Sequence, residues 1–261
     1  MTEGANGTVY LVGSGPGDPD LMTIKASRLL RKCDVLIYDS LVPQELLELV
    51  SASCICHFVG KRRSHHSVAQ TTTNELLVEM AKKYKSIVRL KGGDPFLFGR
   101  GAEEAEYLIR HGIQVEVVPG VTAGIAVPAY LGIPVTHRLV GSSVTFVAGH
   151  ETPEKKHPFV NWRALAKATD GLVIYMGVQN LHYITTELLA GGLDPLTPSA
   201  VIQQGTVIGQ KLLKANLNTL ADKALLYKFE SPSIIMIGEI VKFQVEECAP
   251  IPANVTMPIP F

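Results

Sequence analysis

The sequence predicts an α/β protein with two α/β domains and mostly parallel or mixed sheets, and three observations carry that prediction. Short Val- and Ile-rich runs alternate with helix-spaced apolar segments through the first half, which is the pattern of a parallel sheet covered by helices. Near residues 136–143 the alternation resets and a second set of strand-like runs begins. Hydrophobic residues make up 46% of the 261 and charged residues only 18%, below the usual share of about 25%, so a substantial core can be buried.

In order, the strand candidates of the first half are TVYLVG (8–13), DVLIYD (34–39), CICHFVG (54–60), SIVRLKG (86–92) and VEVVPG (115–120), each rich in β-branched residues. Between them LMTIKASRLLRKC, LVPQELLELV, SVAQTTTNELLVEMAKKY and GRGAEEAEYLIRHG carry helix-spaced apolar positions. In the second half SSVTFVAGH, GLVIYMG, SAVIQQGT, VIGQKLL and SPSIIMIGEIV read as strands, with helices over 178–191 and 217–227. VIGQKLL follows VIQQGT so closely that an antiparallel hairpin is expected. The expected organisation is an N-terminal domain over 1–138, a C-terminal domain over 139–248 and an irregular Pro-rich tail over 249–261.

Charge and cysteine content exclude several classes. Basic and acidic residues balance at 24 each, which disfavours a nucleic-acid or membrane-surface protein. Cysteines at 33, 54, 56 and 248 form no disulfide framework in a chain this long. Without a second Cys/His pair at ligand spacing, Cys54 and Cys56 read as buried thiols, and no metal is expected. The start, MTEGANGTVY, has neither a basic n-region nor an apolar h-region, so a cytoplasmic protein without a secretion signal is expected. No charge occurs from Val117 to Thr136, but Pro119, Pro128 and Pro134 with Gly120, Gly124 and Gly132 break the stretch. A buried helix with tight turns, not a membrane span, is expected there.

Gly13-Ser14-Gly15-Pro16-Gly17-Asp18 follows the first strand and precedes a helix, and Asp39 ends the next strand. That spacing invites a dinucleotide-binding reading, with Asp39 as the ribose acid about 20 residues on. Counted from Gly13, however, the third glycine of G-x-G-x-x-G is Asp18, whose carboxylate repels phosphate, and Pro16 removes a backbone donor. A nucleoside-type ligand without phosphate meets no such objection, and a plain strand-to-helix turn is the bland alternative.

Lys91-Gly92-Gly93-Asp94-Pro95 ends another strand. Paired glycines let a ligand approach the backbone, and Asp94 can accept from an amino or hydroxyl group. Both glycine loops belong to the carboxyl ends of parallel strands, where open α/β sheets bind ligands. Lys61, Arg62, Arg63, His65 and His66 follow one strand, Arg100 follows the GGD turn, and His137-Arg138 ends the first domain. Their joint placement, with Arg100 and Arg138 expected on one edge of the first domain, points to a polyanionic small molecule, and solvated surface charge is the alternative for each.

The run VGSGPGDPDLMTIKASRLLRKCDVLIYDSLV resembles the opening of the uroporphyrinogen III C-methyltransferases, a branch of the S-adenosylmethionine-dependent tetrapyrrole methylases. VGKRRSHHSVAQ, VRLKGGDPFLFGRGAEEAEYL, VVPGVTAGIAVPAYLGIPVTHR, VIYMG and VIQQGT follow in the family's order, so the resemblance covers roughly residues 8–240. It implies S-adenosylmethionine bound in a cleft between two domains, a homodimer, and methylation of uroporphyrinogen III at C-2 and C-7 to precorrin-2. By motif match the cofactor positions are Pro16, Gly92, Gly93, Asp94, Leu97, Thr122, Ala123, Met176 and Gly205. The implied proton acceptor is Asp39 and the implied proton donor Lys61, with Arg100, Glu103 and Arg138 near the substrate.

Ser64 and Ala69 depart from the family's usual Gly and Pro, which touches the conformation of one basic loop. From the length of 261 residues, the version fused to the extra domain of a siroheme synthase is not expected. A charged arginine is a poor base because its pKa exceeds ~12, so Arg100 and Arg138 read as carboxylate clamps. Taken without the resemblance, Met176 reads equally as core, Asp39 as a cap for a helix beginning at Leu41, and Lys61 as solvated. A methyltransferase for a later precorrin, a nicotinamide-dependent oxidoreductase and a non-catalytic S-adenosylmethionine sensor are the competing readings.

Overall fold

A computed structural model of the chain describes residues 6–60, 70–150, 160–243 and 245, together with the backbone of 256–259. The chain divides into two compact units, Met1–Thr122 and Ala123–Phe261.

The first unit is built on strands β1 (Thr8–Gly13), β2 (Val35–Tyr38), β3 (Ile55–Phe58), β4 (Ser86–Lys91) and β5 (Gln114–Val118), with helices α1 (Ile24–Leu30), α2 (Gln70–Lys83) and α3 (Gly101–Arg110). All five strands pair in parallel, in the order β3-β2-β4-β1-β5. Both faces are covered, as an all-parallel sheet requires. Val9, Leu11, Val35, Ile37 and Ile87 pack on one side with Leu77 of α2 and Leu108 of α3. Val12, Leu36, Val88 and Leu90 pack on the other with Ala26 and Leu30 of α1. Thr23 caps α1 by accepting the Ala26 amide at 3.2 Å, and the charged end of α2, Lys82-Lys83, suits the negative pole of its helix.

Two expectations are corrected here. The segment 41–50 forms a 3-10 helix, Gln44–Leu49, instead of an α-helix. Pro43 precedes it, and only Leu46 is fully buried, so two short 3-10 turns satisfy the apolar pattern. Cys56 is exposed and Cys54 only half-buried, because β3 is the edge strand of its sheet; Cys33 alone of the three is buried.

The second unit contains α4 (Ala123–Tyr130), β6 (Val144–Ala148), α5 (Trp162–Ala168), β7 (Gly171–Tyr175), α6 (Leu181–Ala190), β8 (Pro198–Gln203), β9 (Lys211–Asn216), α7 (Leu217–Leu226), β10 (Ser233–Ile237) and β11 (Thr256–Ile259). Its mixed sheet runs β11-β9-β8-β10-β7-β6. The expected hairpin is the antiparallel β8–β9 pair, with Val201 opposite Leu213. Helices α5, α6 and α7 cover one face through Trp162, Ile184, Leu188 and Leu220, and α4 covers the other through Val127. No helix among the described residues is long and apolar enough to cross a membrane.

The division falls at Thr122, upstream of the 138/139 boundary expected from the pattern reset. The cause is α4, whose Val127 packs with Val173, Ile202, Ile234 and Met236 of the second sheet. The tail expected to be irregular from 249 contains β11, paired in parallel to β9. β11 is an edge strand, the position in a sheet where a proline such as Pro258 is tolerated.

Candidate active site

In the first unit the loops after β1, β4 and β5 converge. Gly15 and Gly93 exchange two backbone hydrogen bonds, at 3.2 and 2.7 Å, fastening the β1 loop to the β4 loop. A Cβ on either Gly13 or Gly120 would collide with the Gly93 carbonyl oxygen, and each would stand within 2.7–2.8 Å of the other glycine's Cα. Three backbones therefore pass each other with no side chain between them, and only glycine permits that approach.

Asp94 holds this junction together. Its Oδ1 accepts the Phe96 and Leu97 amides at 2.8 and 3.1 Å, and its Oδ2 accepts the Gly120 amide at 3.1 Å. The carboxylate thus folds the GGD loop and ties it to the β5 loop, so its first task is internal. Gly92 abuts Leu41, and Pro16 is half-buried in the turn between Gly15 and Gly17. Asp18 caps the 3-10 turn Pro19–Leu21 by accepting the Asp20 amide at 2.8 Å, which explains a carboxylate at the position a dinucleotide loop reserves for glycine. Leu97 and Thr122 are half-buried.

Asp39 leaves the end of β2 on the same face as Arg89 and Lys91 of β4, two residues beyond the Ile37–Arg89 pairing. Its Oδ1 accepts the Leu41 amide at 3.1 Å and its Oδ2 accepts Arg89 Nη2 at 3.2 Å. The cap reading is met in part: Asp39 closes a turn at Leu41, but no helix starts there. Behind it, Glu104 of α3 is fully buried and accepts Arg89 Nε at 3.2 Å, Lys91 Nζ at 3.1 Å and Gln70 Nε2 at 3.0 Å. Burial and the neighbouring Arg89 lower the pKa of Lys91, while Glu104 pulls the other way. Sequence reasoning missed Arg89, Lys91 and Glu104. The available signal was two cations at alternate positions of a central strand, RLK, where an exposed face was not on offer.

Arg100 caps α3 in the left-handed region at φ 58° and forms a bidentate pair with Glu103, whose Oε2 accepts Nη2 at 2.6 Å. Both side chains are more than half exposed, and the Arg100 guanidinium holds the Glu103 carboxyl below the usual carboxylate range. Lys61, with Arg62, Arg63, His65 and His66, lies outside the described residues. Arg138 is exposed but follows α4 in the second unit, not a strand of the first sheet. The expectation that it shares an edge of the first domain with Arg100 is corrected, because α4 belongs to the second sheet's core.

In the second unit Ala123 opens α4, and the Gly124 amide donates to the Tyr175 hydroxyl at 2.7 Å. The next residue, Met176, is 47% exposed and held at φ 55°. A non-glycine residue in that region is uncommon and, with its side chain left accessible, argues against the plain-core reading. A Cβ on Gly205 would enter the Val127 side chain, so the β8–β9 turn can lie against α4 only with glycine there.

A parallel sheet with a glycine junction and a carboxylate at its carboxyl edge is a nucleoside-binding type of α/β architecture. Residues 8–221 match the family described as Tetrapyrrole (Corrin/Porphyrin) Methylases, and the chain belongs to that family. It is 48% identical over 237 residues to a uroporphyrinogen-III C-methyltransferase of Priestia megaterium, covering 91% of this chain and 99% of that protein. It is also 48% identical over 238 residues to an S-adenosyl-L-methionine-dependent uroporphyrinogen III methyltransferase of Methanosarcina barkeri, covering 91% and 93%. Its fold is similar to the crystal structure of a uroporphyrin-III C-methyl transferase from Thermus thermophilus complexed with S-adenyl homocysteine, at a TM-score of 0.78 and 37% identity, covering 90% of this chain and 99% of that one.

Proposed function

We propose that this protein is a uroporphyrinogen III C-methyltransferase, using S-adenosylmethionine to methylate C-2 and C-7 and releasing precorrin-2. The observation that carries the reading is the side-chain-free junction of Gly13, Gly93 and Gly120 at the carboxyl edge of the first sheet. Such a cradle takes a flat nucleoside against bare backbone, and Asp18 and Pro16 in the first loop disfavour a pyrophosphate. The relatives' printed activity supports the methyl donor and the tetrapyrrole acceptor.

In this reading Pro16, Gly92, Gly93, Asp94, Leu97 and Thr122 of the first unit and Ala123, Met176 and Gly205 of the second hold the cofactor. Bound S-adenosylmethionine supplies an electrophilic methyl group. The alkylated macrocycle must then shed a proton from elsewhere in the ring system, and Asp39 is the acceptor because both its oxygens are fixed and its side chain is still 25% exposed. Lys61 is the proton donor. Arg100, Glu103 and Arg138 bind the substrate, whose eight carboxylates call for arginine forks. Aligning acceptor carbon and methyl donor is the main service such a site renders. The same reading takes the protein as a cytoplasmic homodimer without a metal.

Calorimetry tests the ligand class. S-adenosylhomocysteine is expected to bind at micromolar concentration and NAD not to bind. Micromolar NAD binding with no S-adenosylhomocysteine binding would overturn the proposal.

A further inference from the structure

Four charged groups, two of each sign, form a chain through the first unit: Lys91, Glu104, Arg89 and Asp39. Glu104 is fully buried and the Arg89 and Lys91 side chains are 6% exposed, so of the four only Asp39 reaches outward. Burying ions costs desolvation that pairing only partly offsets, and an apolar cluster of equal volume is often as stable. Stability alone is therefore a weak account of the chain.

The geometry is more informative. Arg89 divides its fork among three acceptors: Glu104 on α3, the Leu90 carbonyl at 3.0 Å, and Asp39 beyond β2. Glu104 fixes Arg89 from behind and is itself fixed by Lys91 and Gln70. Arg89 Nη2 then occupies Asp39 Oδ2 while the Leu41 amide occupies Oδ1. The remaining lone pairs of Asp39 are left with one orientation.

We infer that Arg89 and Glu104 are positioning residues that aim the Asp39 carboxylate, and this rests on Asp39 being the proton acceptor. Neither residue touches substrate; each acts through Asp39. Lysine at 89 keeps the charge but has no planar fork with which to bridge two carboxylates. Glutamine at 104 keeps one acceptor and turns an amide toward two cations.

The test is a double-mutant cycle on the full chain, with kcat for tetrapyrrole methylation and S-adenosylhomocysteine affinity measured for Arg89→Lys, Glu104→Gln, Asp39→Asn and the pairs. Values are normalised to the folded fraction from circular dichroism. Arg89→Lys and Glu104→Gln should each lower kcat by about tenfold or more and leave S-adenosylhomocysteine affinity within about twofold. In the Asp39→Asn background each should cost less than about twofold more, because residues that act as one unit are not additive. Losses that multiply with Asp39→Asn, or that fall equally on cofactor affinity, would overturn the inference and leave a structural ion cluster. If Arg89→Lys does not fold, Glu104→Gln carries the same comparison. Should Asp39→Asn alone keep wild-type turnover, the acceptor reading itself fails, and that result does not depend on Arg89.

Discussion

Asp94 and Gly120 lie 26 residues apart in sequence and are joined by one hydrogen bond, the Gly120 amide to Asp94 Oδ2 at 3.1 Å. With the two amides on Oδ1, that carboxylate defines the relative position of the β4 and β5 loops. Asp94→Asn cannot reproduce it: whichever way the amide turns, an NH2 group faces a backbone N–H. We expect S-adenosylhomocysteine affinity to fall at least about tenfold, since hydrogen bonds to a charged group contribute about 1.5–3 kcal/mol each. Calorimetry on the folded variant measures this, and unchanged affinity would detach the junction from the cofactor.

The glycine junction makes a steric prediction. Gly120→Ala would push a methyl group into the Gly93 carbonyl and to 2.8 Å from the Gly13 Cα, all backbone that cannot swing aside. Overpacking of this kind typically costs about 1–3 kcal/mol. Thermal and urea denaturation should show that loss together with weakened S-adenosylhomocysteine binding. Gly112→Ala, where a Cβ meets nothing within 4 Å but φ is 71°, should cost stability through backbone strain alone and leave ligand binding intact.

Much of this was legible in the sequence, and the reasons are local. Val9, Leu11, Ile37 and Ile87 announce buried parallel strands, and Gly13, Gly93 and Asp94 announce their carboxyl edge. Arg89 and Glu104 were not legible, because a charged residue defaults to the surface unless its partner is known, and the partner here comes from another element. Arg138 was misplaced for a different reason. The run from Val117 to Thr136 contains no charge to mark where one core ends, and the packing of Val127 assigns α4 to the second sheet.

Asp170 sets a pH dependence in the second unit. Its Oδ2 accepts the Ser142 and Ser143 amides and the Ser143 hydroxyl, each at 2.9 Å. Those bonds, the Ser143 hydroxyl first, hold its pKa below the ordinary aspartate value. The folded state therefore binds its proton less readily than the unfolded chain. The stabilisation is complete above the unfolded pKa and is lost as pH falls through the lowered folded one. Wild type and Asp170→Asn should differ by a constant margin from pH 5 to 7 in urea denaturation and converge as the acid limb is reached. A margin that widens toward acid would contradict the assignment.

Arg100 already has a carboxylate partner, Glu103, which shows that its guanidinium is presented for bidentate pairing. If Arg100 and Arg138 clamp substrate carboxylates, replacing either by Lys keeps the charge and loses the fork. Each change should weaken tetrapyrrole binding by about ten- to a hundredfold, corresponding to about 1.5–3 kcal/mol, and leave the S-adenosylmethionine KM nearly unchanged. A solvated arginine would show almost no effect. Wild-type tetrapyrrole affinity in both variants would shift the anion site to the basic residues 61–66.

The central claim is tested most directly by anaerobic incubation of the protein with uroporphyrinogen III and methyl-labelled S-adenosylmethionine, followed by mass analysis of the macrocycle. The account predicts a dimethylated product with the mass of precorrin-2 and two equivalents of S-adenosylhomocysteine. A macrocycle that stays unlabelled while the folded protein binds S-adenosylhomocysteine would contradict it.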